Sequence, residues 1–334
     1  MSEIRYNQLH DTYVIMAPQR LRRPDFATIK TQAENDRLCP FCEGNEAFTP
    51  KEIFAMRNPE SMANHRDWYT RVIPNLYKAV EIEAPYQKYD GNFVHWDGFG
   101  AHEIIIDTPS HKISMSEWSL WEMVVWLKTL RSRVEDLRRD HRLVFISLFK
   151  NEGANAGSTM SHSHTQLIAL PIIPKIQHEM NVRCCEYFEK NSQTLMESII
   201  LNEEEAKVRM VESYGEFSAF CPYASSYPFE VIISSKKNIG QIDTINDVHI
   251  NELVTLLFSI IQKMKNIHGD VPFNLWISTP PLGVDAPSSE PYRLMIRIMP
   301  RIYRLGGFEV GTQMMINPVE PEFAAKLLRG EEDV

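Results

Sequence analysis

The strongest constraint on this fold is an order of elements that occurs twice along 334 residues. In the first half, His102-Glu103-Ile104-Ile105-Ile106 carries a short apolar strand at Ile104-Ile105-Ile106. Over residues 116–139, Leu120, Val124, Leu127, Leu130, Val134 and Leu137 recur at helical spacing, with Ser114 or Ser116 as the cap. Residues 143–149 are an apolar run of strand length, a loop containing Gly153 and Gly157 follows, and residues 166–170 make a further short strand. In the second half, Phe229-Glu230-Val231-Ile232-Ile233 echoes residues 102–106 and a helix pattern covers residues 248–267. Residues 273–278 then match the 143–149 strand, and Arg293-Leu294-Met295-Ile296-Arg297 falls near the place of residues 162–166. The spacings from His102 to Phe229 and from His162 to Arg293 nearly agree. Short apolar strands resemble one another easily, so the pattern alone leaves duplication and coincidence both open.

The chain is long enough for one large or two ordinary domains, and its 43% hydrophobic and 24% charged residues are those of a globular protein. A formal charge of -9 argues against general attraction to nucleic acid and points to a metabolite bound in a local pocket. The opening residues lack a basic stretch followed by an apolar one, and no apolar run of about 18 residues appears, so the expected compartment is the cytoplasm. Five cysteines, two of them adjacent at Cys184 and Cys185, do not make a disulfide framework and fit a reducing compartment.

Cys39 and Cys42 then need another explanation. In Cys39-Pro40-Phe41-Cys42 two thiolates separated by two residues can hold one tetrahedral zinc ion from a tight turn. Two more ligands must come from elsewhere, and the first half offers His102, His111, His162 and His164. A redox pair or two buried thiols are the alternatives.

In Ser161-His162-Ser163-His164-Thr165-Gln166, alternate residues of an extended segment share a face, which puts both imidazoles and Gln166 on one side. If His162 closes the metal site, His164 is held by an anchored backbone, as suits a nucleophile that must meet phosphorus in line. Gln166 could donate to a non-bridging oxygen where charge accumulates. The same residues also read as surface polar groups, or as two metal ligands. Upstream, the small residues from Asn151 to Thr159 could bring backbone N–H groups close to phosphate, although a plain connection has the same composition. In Gln19-Arg20-Leu21-Arg22-Arg23-Pro24, a loop after a strand at Thr12-Tyr13-Val14-Ile15-Met16, the arginines could neutralise phosphates or lie on a solvated face.

Together these pieces resemble the galactose-1-phosphate uridylyltransferase family, the transferase branch of the histidine-triad superfamily, from about residue 5 to residue 325. The resemblance implies an α+β fold of two histidine-triad-like half-domains, each an antiparallel sheet with packed helices. Residues 1–175 would be the catalytic half with a structural zinc, and residues 176–334 a scaffold. It implies zinc on Cys39, Cys42, His111 and His162, one ion per chain, and a nucleotidylated His164. Gln166 takes the place of the third histidine of hydrolytic relatives. Nucleotide contacts would come from Arg20, Arg23, Asn75, Asn151, Thr159 and Gln166. The chain would be a homodimer, with a loop carrying Phe308, Gly311, Thr312 and Gln313 reaching the neighbour's site.

Leu76 and Tyr77 stand where uridylyltransferases have Asp-Phe, and Ser163 where they have proline. The stretch Gly307-Phe308-Glu309-Val310-Gly311-Thr312-Gln313 is similar to adenylyl-type members such as ADP-glucose phosphorylase. A second metal is not expected, because Tyr292 to Arg297 contains no histidine. The implied reaction moves AMP or UMP by a ping-pong route from a nucleotide sugar or adenylylsulfate to phosphate or a sugar 1-phosphate. The rivals are a histidine-triad hydrolase and a non-catalytic, zinc-stabilised nucleotide-binding protein.

Overall fold

The computed structural model describes residues 2–18, 38–282 and 289–331. In chain order the first half contains strands β1 (Glu3–Asn7), β2 (Thr12–Met16), β3 (Phe54–Arg57), β4 (Trp68–Pro74), β5 (Lys88–Tyr89), β6 (His95–Trp96) and β7 (Ala101–Ile106). Helix α1 (Leu120–Leu137) and strands β8 (Phe145–Glu152) and β9 (His164–Leu170) follow. Next come helices α2 (Lys175–Asn191) and α3 (Leu195–Ala206), then strands β10 (Met210–Tyr214), β11 (Phe217–Phe220) and β12 (Val231–Ser235). The chain continues through α4 (Asp247–His268), β13 (Phe273–Ile277), β14 (Met295–Pro300), α5 (Gly307–Thr312), β15 (Met315–Asn317) and α6 (Pro321–Leu328).

Ten strands form one sheet in the order β10-β11-β12-β14-β13-β8-β9-β7-β4-β3, antiparallel at each step. Read outward from the β13–β8 pair, the order is the same on both sides: β9 answers β14, β7 answers β12, β4 answers β11 and β3 answers β10. Helices α1 and α4 lie against each other on one face of the sheet. A continuous apolar core fills the space beneath them, from Trp126 and Leu130 of α1 through Ile105, Leu148 and Leu275 to Leu257 of α4. The fold is α+β, as the resemblance implied.

The register of the repeat differs from the sequence echo by one residue. Aligning residues 102–106 with 229–233 sets Ile105 against Ile232, yet Ile105 packs under the helices and Ile232 faces the opposite side. A shift of one residue in a strand exchanges its faces. The pairing Ile104↔Gln166 therefore answers Ile232↔Arg297, and the counterparts of His164 and Gln166 are Met295 and Arg297.

Helix α1 starts at Leu120, later than the spacing suggested. Trp118 and Ser119 are extended, and Ser119 with Glu122 closes a capping box, whereas Ser114 caps a single 3₁₀ turn at Met115–Glu117. Strand β9 begins at His164, earlier than expected. Helices α2 and α3 had no counterpart in the sequence reading; they cover the second face of the β11–β12–β14 region, where Met180, Cys184, Met196 and Ile200 bury Phe220, Ile232 and Met295. The corresponding face of β9 and β7 carries His164 and Gln166. The β1–β2 hairpin is pinned beside β15, with Arg5 donating to the Tyr223 carbonyl and to Glu322, and Asn7 to the Ala224 carbonyl. None of the described helices is long and apolar enough to cross a membrane.

Helix α1 is keyed to β7 by a buried ion pair. Arg133 Nη2 and Nε donate to Glu103 Oε1 and Oε2 at 2.7 and 2.9 Å, with both side chains 5% exposed. Burial pushes the Arg133 guanidinium down, but Glu103 and Asp136 outweigh that and hold it above its usual range. Removing Glu103 leaves the buried Arg133 with only the half-exposed Asp136 as partner, so Glu103→Ala should lower stability by about 3 kcal/mol in urea unfolding. Glu103→Ala combined with Arg133→Met should recover most of the loss; an equal loss in the double variant would refute this account.

Candidate active site and metal centre

The histidine segment is built from the strand pair outward. His164 opens β9 opposite Ile106, and Gln166 lies two residues on, so the two side chains leave the same face about 7 Å apart along the strand. His162 lies just before the strand. Its Nε2–H donates to the Thr108 carbonyl at 2.8 Å, which turns the Nδ1 lone pair toward the Cys39–Cys42 turn.

There His162 Nδ1 lies 3.5 Å from Cys39 Sγ and 3.6 Å from Cys42 Sγ, and His111 Nδ1 lies 3.4 Å from Cys42 Sγ. All four ligand atoms fall within 4.8 Å of one another. A tetrahedral zinc ion with bonds of about 2.3 Å to sulfur and about 2.0 Å to nitrogen separates such ligands by roughly 3.5 Å, so the donor set fits a metal in chemistry and spacing. Burial drives the His162 pKa down to about 4, leaving the ring unprotonated and able to ligate at neutral pH. Burial and the neighbouring Cys39 push the Cys42 thiol up to about 11, a cost that a bound dication would reverse by stabilising the thiolate. Of the four candidate histidines, the structure brings His111 and His162 to the cysteines and sends His102 and His164 elsewhere.

His164 donates from Nδ1–H to the His162 carbonyl at 2.9 Å, so its Nε2 carries the free lone pair. Burial lowers its pKa, which favours the unprotonated ring. Phe41, from within the cysteine turn, makes edge-type contacts with both rings, with centroids 6.1 Å from His162 and 5.7 Å from His164. Behind the segment, on the helix side of the sheet, Lys150 Nζ donates to Asp107 Oδ2 at 2.8 Å, Ser163 Oγ at 2.7 Å and the His164 carbonyl at 3.3 Å. All three ammonium hydrogens have acceptors, and the Lys150–Asp107 pair is almost wholly removed from solvent. Ser163 N–H donates to the Lys112 carbonyl and Trp126 Nε1–H to Thr165 Oγ1, fixing the backbone on either side of His164.

A cavity of about 140 Å³ opens at this segment, lined by Asn151, Gly153, Thr159, Ser161 and His164 among others. Asn151 is steadied across the central strand pair, where its Oδ1 accepts from Asn274 Nδ2 at 2.8 Å. Asn75 and Gln166 meet at His102, 3.0 and 3.2 Å from its Nε2. Phe308, Gly311, Thr312 and Gln313 are exposed; the expected loop is a short helix, α5, ended by Gln313 in the left-handed region. Arg20 and Arg23 lie outside the described residues. A larger cavity of about 320 Å³, lined by Leu9, Arg209 and Tyr223 among others, sits in the other half of the sheet.

Sequence reasoning assigned no role to Phe41, Lys150 or Asp107. The one available signal was Lys150 itself, a charge continuing the apolar run 143–149, where burial demands a partner. Metal content separates the two histidine roles: Cys42→Ser should lose bound metal by elemental analysis, and His164→Gly should keep it. The reverse pattern would exchange the roles of His162 and His164.

A family model described as "Galactose-1-phosphate uridyl transferase, N-terminal domain" matches residues 1–174. ADP-glucose phosphorylase of Arabidopsis thaliana is 34% identical over 334 aligned residues, covering 98% of this chain and 92% of that protein. Galactose-1-phosphate uridylyltransferase of Thermotoga maritima is 25% identical, with 99% of each chain covered. The crystal structure of the Arabidopsis thaliana ADP-glucose phosphorylase with bound ADP-glucose superposes with a TM-score of 0.81 at 30% identity, over 98% of both chains. The fold, the family match and the similarity along nearly the whole chain agree: this chain belongs to the galactose-1-phosphate uridylyltransferase family.

Proposed function

We propose that this nucleotidyltransferase moves AMP from ADP-glucose or a close analogue to inorganic phosphate, with His164 as the carrier. The observation that carries the proposal is the committed Nδ1–H of His164, which leaves Nε2 as a free nucleophile beside the cavity that holds Asn151 and Thr159. In the first displacement the Nε2 lone pair forms a bond to the α-phosphorus, and the bond from that phosphorus to the bridging oxygen breaks. The electron pair leaves on the sugar phosphate. In the second, an oxygen of inorganic phosphate attacks the same phosphorus and the P–N bond breaks, giving ADP and the free imidazole. The proton stays on Nδ1, hydrogen-bonded to the His162 carbonyl, throughout, which stabilises the cationic ring of the intermediate. Gln166 and backbone N–H groups of the 153–159 loop donate to the non-bridging oxygens.

The choice of adenine over uracil rests on the higher identity to the ADP-glucose phosphorylase than to the uridylyltransferase. The Cys39, Cys42, His111 and His162 cluster holds zinc as a structural ion in this reading. It fixes the His162 backbone and supplies no reacting atom. Residues 1–175 form the catalytic half and residues 176–334 the scaffold. Two chains pair so that the exposed α5 segment of each, with Phe308, Gly311, Thr312 and Gln313, completes the neighbour's site.

Intact mass after incubation with ADP-glucose, UDP-glucose or adenylylsulfate tests the proposal. ADP-glucose should add one AMP residue, removed by phosphate with release of ADP and absent in His164→Gly. No adduct with any donor would overturn the covalent route; a UMP adduct alone would reassign the base.

A further inference from the structure

The orientation of Gln166 is set by a residue that the sequence reading offered only as a metal ligand. His102 stands on β7 two residues from Ile104, the partner of Gln166 on β9. Its Nδ1 accepts the backbone N–H of Ala79 at 3.1 Å, and a ring nitrogen that accepts carries no proton, so the ring hydrogen is on Nε2. Two amide groups approach that nitrogen: Asn75 Nδ2 at 3.0 Å and Gln166 Oε1 at 3.2 Å. Asn75 Oδ1 is already engaged by the Tyr77 N–H at 2.9 Å, so Asn75 presents only a donor there. The His102 Nε2–H therefore goes to Gln166 Oε1, the acceptor of the two, and the Asn75 Nδ2 contact sets a donor beside a donor and is no hydrogen bond.

An amide whose oxygen is held turns its NH₂ group away from the holder. We propose that His102 is a positioning residue that fixes the Gln166 amide with its nitrogen, rather than its oxygen, toward the phosphoryl group in transfer. This rests on the reaction proposed above and names what selects the useful one of two nearly isosteric amide orientations. The non-bridging oxygens gain charge on the way to the transition state; an N–H there is attractive, and a carbonyl oxygen in the same place is repulsive.

The repeat supplies a second instance of the arrangement. Glu230 stands two residues from Ile232, the partner of Arg297, as His102 does from Ile104, the partner of Gln166. There Arg297 Nε donates to Glu230 Oε1 at 2.6 Å. In each half the residue at this diagonal, within β7 for His102 and just before β12 for Glu230, holds the side chain on the second strand from the centre.

Two measurements on the full, metal-loaded chain test the assignment. Nitrogen-15 NMR of the His102 ring reads the tautomer without any turnover: an Nε2–H ring is expected, and an Nδ1–H ring overturns the proposal whether or not an adduct ever forms. Quenched-flow adduct formation with ADP-glucose then reads the consequence. His102→Leu should slow the step by about 10–100-fold with KM little changed, the range seen when a residue orienting a reacting group is lost. His102→Gln, which keeps an N–H donor, should recover much of the rate. In a Gln166→Ala background, His102→Leu should add no further loss; a full, additive loss there means that His102 does not act through Gln166 and overturns the proposal. Unchanged metal content and unfolding midpoint verify that each variant is folded. Failure of the wild-type chain to form any adduct would refute the reaction, and the tautomer would still decide the geometry.

Discussion

The hydrogen-bonded ladder between β8 and β13 is the constraint on which the molecule depends. It pairs Leu148 with Ile277 and Glu152 with Phe273, and joins two five-strand arrays into one sheet. Without it each array would present an unpaired edge in the middle of an apolar core, with backbone groups removed from water and unsatisfied. The ladder also reaches the chemistry. Asn151 lies on its β8 strand and is held by Asn274 on β13, while Lys150, on the opposite face of the same strand, ties the histidine segment from behind. Second-half residues thus contribute to the candidate site through the sheet.

Much of both halves was legible in the sequence because the signals are local. Helical spacing located α1 and α4, apolar runs located β7, β8 and β13, and the Cys39-Pro40-Phe41-Cys42 turn marked two of the four clustered side chains able to hold a metal. What was not legible depends on long-range geometry. The choice of His111 and His162 over His102 and His164 comes from which rings the sheet register and the loop after β7 bring to the cysteines, and no spacing rule contains that information. The repeat was visible, but its register was misaligned by one residue because Phe-Glu-Val-Ile-Ile matches His-Glu-Ile-Ile-Ile best in letters. Burial aligns it differently, since strand faces are defined by what packs on them. Helices α2 and α3 were missed because only a narrow set of their residues, such as Met180, Cys184, Met196 and Ile200, is buried between polar neighbours.

Ser163 shows how a local difference is absorbed by tertiary structure. Its place between the histidines, where the family resemblance implies proline, gives up a fixed backbone angle. Rigidity is supplied instead by hydrogen bonds: the hydroxyl accepts from the buried Lys150 ammonium and the backbone N–H is bonded to Lys112. A charge so deeply buried is tolerated because Asp107 neutralises it and each donor is satisfied. Ser163, Lys150 and Asp107 therefore hold the backbone between the two histidines as one hydrogen-bonded unit.

The two faces of the repeat have unequal prospects for redesign. At the counterpart of His164, Met295 is covered by α2 and α3, and at the counterpart of Gln166, Arg297 is neutralised by Glu230. Met295→His would set an imidazole beneath a helical roof, beside a pocket of only about 30 Å³. A second site like the one around His164 would need the roof removed before any polar group was introduced. The covering helices thus make the asymmetry of the duplicated sheet a matter of access as much as of side-chain chemistry.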